Sequence, residues 1–249
     1  MPKQAPCFSP KALAFFRQLA KNNKREWFQP RKDEFDTTVR KPMMELLNHL
    51  CDCKGGLRSF AADYVQADPA KSLYRIYRDT RFSKDKTPYK THIAAHFQHG
   101  KIEKNRGAGF YFAVSHEGVE IGAGLYMPDK EQLTAFRSAL MKHHAKFRKM
   151  LEDKTLVKLY GPAQGDKTRR PPADIPADHP AADLLSLKQI YFFSTLPAKT
   201  ATDGKFATEV LKRFAAAEPF IAFINNAIIS AMADEDGEPD RPRRPEPMF

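Results

Sequence analysis

Gly109-Phe110-Tyr111-Phe112-Ala113-Val114-Ser115-His116-Glu117-Gly118-Val119-Glu120-Ile121-Gly122-Ala123-Gly124-Leu125-Tyr126 decides the fold class. Residues 109–115 and 119–126 are rich in β-branched and aromatic side chains, and His116-Glu117-Gly118 between them carries a turn signal, which predicts a β-hairpin. Gly122-Ala123-Gly124 in the second arm predicts a bulge or a close backbone approach. It is not a nucleotide loop, because the third glycine and the strand-to-helix context of a dinucleotide fingerprint are missing.

Upstream, residues 91–99 alternate, with Ile93, Ala95 and Phe97 on one face and His92, His96 and Gln98 on the other, which predicts another strand. Residues 73–77 also lean towards β, and residues 189–195 predict a further strand downstream. Helices surround these segments. Ser9-Pro10 supplies an N-cap hydroxyl and a first-turn proline, Leu13, Phe16 and Leu19 follow at helical spacing, and Asn22-Asn23 can close the helix in the left-handed conformation. A second helix from Pro30 carries Phe35, Val39, Met43, Leu46, Leu47 and Leu50, with a kink expected near Arg40-Lys41 because Pro42 lies inside it. Trp27 and Phe28 read as core plugs between the two. Pro128-Asp129 opens a long helix to about residue 153, and two more helices are predicted over residues 203–217 and 219–232. The expected architecture is α+β: a mostly antiparallel sheet around the 109–126 hairpin, packed with N-terminal, middle and C-terminal helices in one domain over residues 8–232. Residues 1–7 are expected to be a flexible N-terminus, and 233–249 a disordered acidic, Pro/Arg-rich tail.

The 249 residues suffice for a proper core, and no apolar run reaches 18 residues, so no membrane span or membrane partner is expected. Three cysteines cannot make a disulfide framework, and the polar start carries no signal peptide, so a cytoplasmic location is expected. His49-x-Cys51-x-Cys53 lacks a second ligand pair, and His92 and His96 on a strand stand about 13 Å apart at about 3.3 Å per residue. No metal site and no cofactor are therefore expected, and nothing in the sequence sets an oligomeric state.

The net charge is +11, and residues 75–106 carry nine Lys/Arg against three acids. The densest part is Arg75-Ile76-Tyr77-Arg78-Asp79-Thr80-Arg81-Phe82-Ser83-Lys84-Asp85-Lys86-Thr87-Pro88-Tyr89-Lys90-Thr91-His92. Asp79 can fork onto neighbouring guanidiniums and fix them, Phe82 is expected to anchor the loop, and Thr87-Pro88 to turn the chain back at Tyr89. Three readings follow. The Arg–Asp pairs stitch a loop to the sheet; or Arg75, Arg78, Asp79, Arg81, Lys86, Tyr89 and Lys90 form an anion site for a small phosphate-bearing ligand; or an enzyme uses Tyr89 or His92 as acid/base on such a ligand. Cations outnumber carboxylates here, which favours an external counter-ion. Nucleic acid is the alternative polyanionic partner.

The pattern Arg75-x-x-Arg78-Asp79-x-Arg81-Phe82-x-x-Asp85-Lys86-x-x-Tyr89 resembles the signature of the uncharacterised DUF2461 family. Asn22-Asn23-x-Arg25-Glu26-Trp27-Phe28, Gly122-x-Gly124-Leu125-Tyr126-x-Pro128, and Asp178-His179-Pro180 with Leu187-Lys188 are similar to its other recurrent segments. The likeness spans roughly residues 8–217, with one departure at Pro172-Ala173-Asp174, where the family pattern has a Lys-Gly step. The resemblance implies that the signature residues act together, and it implies no particular activity.

Overall fold

The computed structural model describes residues 5–103, 106–169, 172, 175 and 178–236. The sheet has four antiparallel strands in sequence order: β1 (His92–Gln98), β2 (Gly109–Ser115), β3 (Gly118–Leu125) and β4 (Ile190–Pro197). The predicted hairpin is its centre. β2 and β3 join through His116-Glu117, and the Ser115 hydroxyl accepts from the Glu117 and Gly118 amides, both at 3.1 Å. Period-2 alternation then sorts the side chains. Ile93, Ala95, Phe97, Phe110, Phe112, Val114, Val119, Ile121, Leu125, Ile190 and Phe192 point to one face and are all buried.

Helix α1 (Pro10–Lys21) follows the predicted start, but the Ser9 hydroxyl makes no capping bond. Its end also differs from expectation. Asn22 has φ −130° and closes the helix with its side chain, Nδ2 donating to the Gln18 carbonyl at 2.9 Å. The kink expected at Pro42 is a π turn, Asp36–Arg40, between one α turn, Lys32–Phe35, and helix α2 (Lys41–Asp52). Pro42 has no N–H for the Thr38 carbonyl, and a wider turn just ahead of it absorbs the lost bond. Phe28 is buried and Trp27 packs on the core, as the sequence predicts.

Helix α3 (Lys130–Leu151) opens on Asp129, whose carboxylate accepts from the Gln132 amide at 2.9 Å, and the short α4 (Lys154–Tyr160) follows it. Where the sequence predicts two C-terminal helices, one helix, α5 (Phe206–Asp236), runs through Pro219. An internal proline costs a helix about 3 kcal/mol, and packing on both sides of it offsets that cost. Phe206, Val210, Phe214, Ala217, Ile221 and Ile224 form a fully buried stripe on the inner face of β2 and β3, with α3 packed alongside. By length and composition α5 could cross a membrane. The shorter expectation rested on breaking it at Pro219, and in this fold its stripe serves the core.

The chain ends also correct the predicted boundaries. Ala5 and Cys7 pack on the core and the Phe8 amide donates to the Ala201 carbonyl at 2.9 Å, so residues 5–7 are tied down. α5 extends four residues into the stretch expected to be disordered, while residues 1–4 and 237–249 lie outside the described residues.

Candidate ligand-binding cleft

The chain entering the basic stretch meets β1 through a single bridge rather than a full strand, and the stretch then folds back and pairs with itself. Leu73 bridges Ala95 and Tyr77 bridges Tyr89, with the Arg78 amide donating to Pro88 at 2.9 Å and the Lys90 amide donating to Ile76 at 2.8 Å. Asn23, from the end of α1, acts as one further strand partner. Its Nδ2 donates to the Tyr89 carbonyl at 2.8 Å and its Oδ1 accepts from the Tyr89 amide at 3.1 Å.

Inside the loop both carboxylates are matched, each by one arginine. Arg81 forks onto Asp79, Nε to Oδ1 at 3.0 Å and Nη2 to Oδ2 at 2.7 Å. Arg78 pairs with Asp85 and with the Thr87 hydroxyl, and Lys86 donates to the Thr80 carbonyl at 2.9 Å. Hydrogen bonds from Arg81 hold the Asp79 carboxyl down at about 2. Asp85 is likewise held at about 2, first by Arg78 and then by Thr87.

The anchor of the loop is not Phe82, which is 94% exposed. It is Tyr89, 1% exposed and stacked on Phe28 with ring centroids 4.2 Å apart. The Tyr89 hydroxyl is buried without a hydrogen-bond partner among the described residues. Apart from Arg75, the sequence-predicted set is therefore divided three ways. Arg78, Asp79, Arg81 and Lys86 tie the loop to itself, Tyr89 enters the core, and Lys90 and His92 open onto the sheet.

They open onto a cleft of about 740 Å³ on the sheet face opposite the helices. Its lining is the outward half of the strand alternation: Ala94 and His96 from β1, Gly109 and Tyr111 from β2, Glu120, Gly122 and Gly124 from β3, Tyr191 and Phe193 from β4. Tyr74 and Lys90 form one side and Tyr126, Met127 and Gln164 the other. Lys90 places its ammonium 4.9 Å from the Tyr74 ring centroid. Burial, and then the like charge of Arg75, lower the Lys90 pKa. Neither Arg75 nor Lys90 makes an ion pair among the described residues, unlike Arg78 and Arg81. His92 is pushed down by burial and then by Lys90, and burial alone takes His96 down to about 4, so both imidazoles are neutral near pH 7. Burial raises the Tyr74 and Tyr111 hydroxyls, which remain protonated donors. Arg75 itself lines a smaller neighbouring cleft of about 290 Å³, which shares Tyr74 and His92 with the larger one.

Among the described residues no group of His, Cys, Asp or Glu is arranged to hold a metal ion. The Arg–Asp loop, the Asn23 clamp and the Gly122–Pro128 wall of the cleft are the segments that carried the family likeness. The family described as a conserved hypothetical protein, DUF2461, matches residues 11–223 of the 249. The chain belongs to the DUF2461 family. In the DUF2461 fold the matched span begins in α1, includes the whole sheet and ends within α5, so it contains every lining residue of the cleft. No curated protein and no solved structure matches the chain. Of the segment that departs from the family pattern, Ala173 and Asp174 lie outside the described residues.

Sequence reasoning missed Tyr74, Tyr111, Tyr126, Met127, Tyr191 and Phe193. A signal was present: Tyr111 in β2 and Tyr191 and Phe193 in β4 occupy the face opposite the apolar run, where a solvated sheet would carry polar residues.

Proposed function

We propose that this DUF2461 protein binds a small anionic, phosphate-bearing ligand at the mouth of the sheet-face cleft, with Lys90 and Arg75 as counter-charges. One observation carries this reading. Burial, and then the like charge of nearby Arg75, lower the Lys90 pKa, and neither cation makes an ion pair among the described residues, whereas Arg78 and Arg81 do. Lys90 is half-buried beside an exposed Arg75, and an anion would relieve both their repulsion and the lost hydration of the lysine. The Arg78–Asp85 and Arg81–Asp79 pairs then act as a frame. They fix the turn that returns the chain at Tyr89, and Tyr89 in the core sets the position of Lys90. Neutral His92 beside Lys90 can hydrogen-bond the ligand without adding charge. Of Tyr89 and His92 as acid/base candidates, His92 is the one that lines the cleft, because the Tyr89 hydroxyl is enclosed.

A thermal-shift screen with inorganic phosphate, pyrophosphate and sugar phosphates on the wild type and Lys90→Met tests this. Saturation at about 100 times Kd adds roughly 2.7 kcal/mol, a rise on the order of 5–10 °C for a domain of this size. The expected result is such a rise in the wild type and none in Lys90→Met. If both proteins fold and no anion distinguishes them, the reading fails. A steep fall of oligonucleotide affinity with salt, unaltered in Lys90→Met, points instead to a polyanion on the wider basic surface.

A further inference from the structure

Beyond Lys90 the cleft carries chemistry that holding a phosphate does not use. His96, Tyr111, Gly122 and Phe193 are register partners across all four strands and form one row on the open face. In the next row Gly109 and Gly124 pair with each other, and Gly124 pairs with Tyr191. The missing side chains let rings lie down against the sheet. A Cβ at Gly109 would sit 2.3 Å from His96 Nε2, and one at Gly122 would sit 3.0 Å from Phe193 Cδ2. Tyr74 is parallel to His96 within 15°, at 6.4 Å between centroids.

The opposite rim is apolar and open. Tyr126 is 64% and Met127 75% exposed, and Met127 holds φ +48°, the only non-glycine positive φ among the described residues. That conformation is unfavourable for a residue with a Cβ, and here the Gln189 Oε1 fixes it by accepting from the Met127 amide at 3.2 Å. Tyr126 meets the Tyr191 ring edge-on at 5.6 Å, and both large side chains are held beside the cleft with most of their surface open.

We infer that the ligand carries a planar heteroaromatic ring, laid on His96, Tyr111 and Phe193 beneath Tyr126 and Met127, with its phosphate at Lys90. The class is a phosphorylated heteroaromatic compound, of the size of a nucleoside monophosphate or flavin mononucleotide, and a cleft of about 740 Å³ falls in the range such ligands occupy. A flexible hydrocarbon chain fits less well. It would bury the Tyr74, Tyr111 and Tyr191 hydroxyls and His96 without partners, whereas a heterocycle stacks through its face and hydrogen-bonds through its edge. This inference rests on the phosphate-bearing ligand proposed above.

Direct binding measurements on the full chain test it, with flavin mononucleotide, adenosine monophosphate and uridine monophosphate as ring-bearing probes. Ribose 5-phosphate and adenosine serve as the ring-free and phosphate-free controls. At least one ring-bearing phosphate should bind roughly tenfold or more tighter than ribose 5-phosphate, the scale of one stacked ring. Gly122→Val pushes Phe193 into the cleft and Tyr111→Leu removes part of the floor. Either variant should lose that margin while holding ribose 5-phosphate as the wild type does, and circular dichroism confirms that each is folded. Equal affinity for ribose 5-phosphate and every ring-bearing phosphate overturns the ring inference and leaves the anion reading standing. So does an unchanged margin in both folded variants. Adenosine binding as tightly as adenosine monophosphate overturns the phosphate reading instead, and no binding of any probe to the wild type overturns both.

Discussion

Tyr89 and Lys90 are adjacent in sequence and serve opposite sides of the chain, one in the core and one in the cleft. The extended backbone turns successive side chains to opposite faces, so a single anion site containing both is not available. Composition makes the stretch recognisable as basic and ordered, but which arginines are already neutralised depends on a fold-back invisible to spacing. Phe82 shows the same limit: an aromatic between cations reads as an anchor, and here the anchor is seven residues further on. At this scale His96 gives a prediction. Burial holds its pKa near 4 against an ordinary 6.5, so between those values the unfolded chain binds more protons and stability falls as pH falls. Urea unfolding from pH 7 to pH 4 should therefore show a loss of stability across that window that is much smaller in His96→Gln. The stabilisation from the Asp79 and Asp85 carboxyls, held at about 2, is fully present above about 3.8 and is lost only below that pH, outside this window. Equal pH slopes for the wild type and His96→Gln would contradict the buried neutral imidazole.

The strands and most helices were legible because their hydrophobic periods are unambiguous, the 109–126 hairpin most of all. The misreadings lie where long-range packing overrides a local break. Pro219 reads as a helix boundary, yet the same buried stripe continues past it against the sheet and α3. The open sheet face was half legible: the glycines of β3 read correctly as a close approach, but the rings they accommodate, Tyr191 and Phe193, come from β4. Least legible was the contact between Asn23 and Tyr89, 66 positions apart, which ties α1 to the basic loop. Asn23→Ala removes two hydrogen bonds and leaves a half-buried backbone pair unsatisfied, which should cost about 2–3 kcal/mol in denaturant unfolding. It should also weaken any ligand that Lys90 holds, since Tyr89 sets the position of Lys90. A loss below about 0.5 kcal/mol would mean that water replaces the clamp at little cost.

Across the molecule, the net charge of +11 draws anions of every kind towards the surface and selects none of them. Selection needs a concave place, and the sheet provides it by covering one face with helices and leaving the other to Tyr74, His96, Tyr111 and Phe193. The loop that dominated the sequence supports one wall of that cleft, and of its cations without an ion pair among the described residues, Lys90 and Arg75 stand at its base. The most direct test is an amide NMR titration of the full chain with pyrophosphate, since this ligand carries phosphate and no ring. Saturable shifts at Tyr74, Arg75, Lys90 and His92, absent in Lys90→Met, are the expected result. Shifts confined to the exposed turn from Phe82 to Lys86, or none that saturate, would contradict an anion site at the mouth of the cleft.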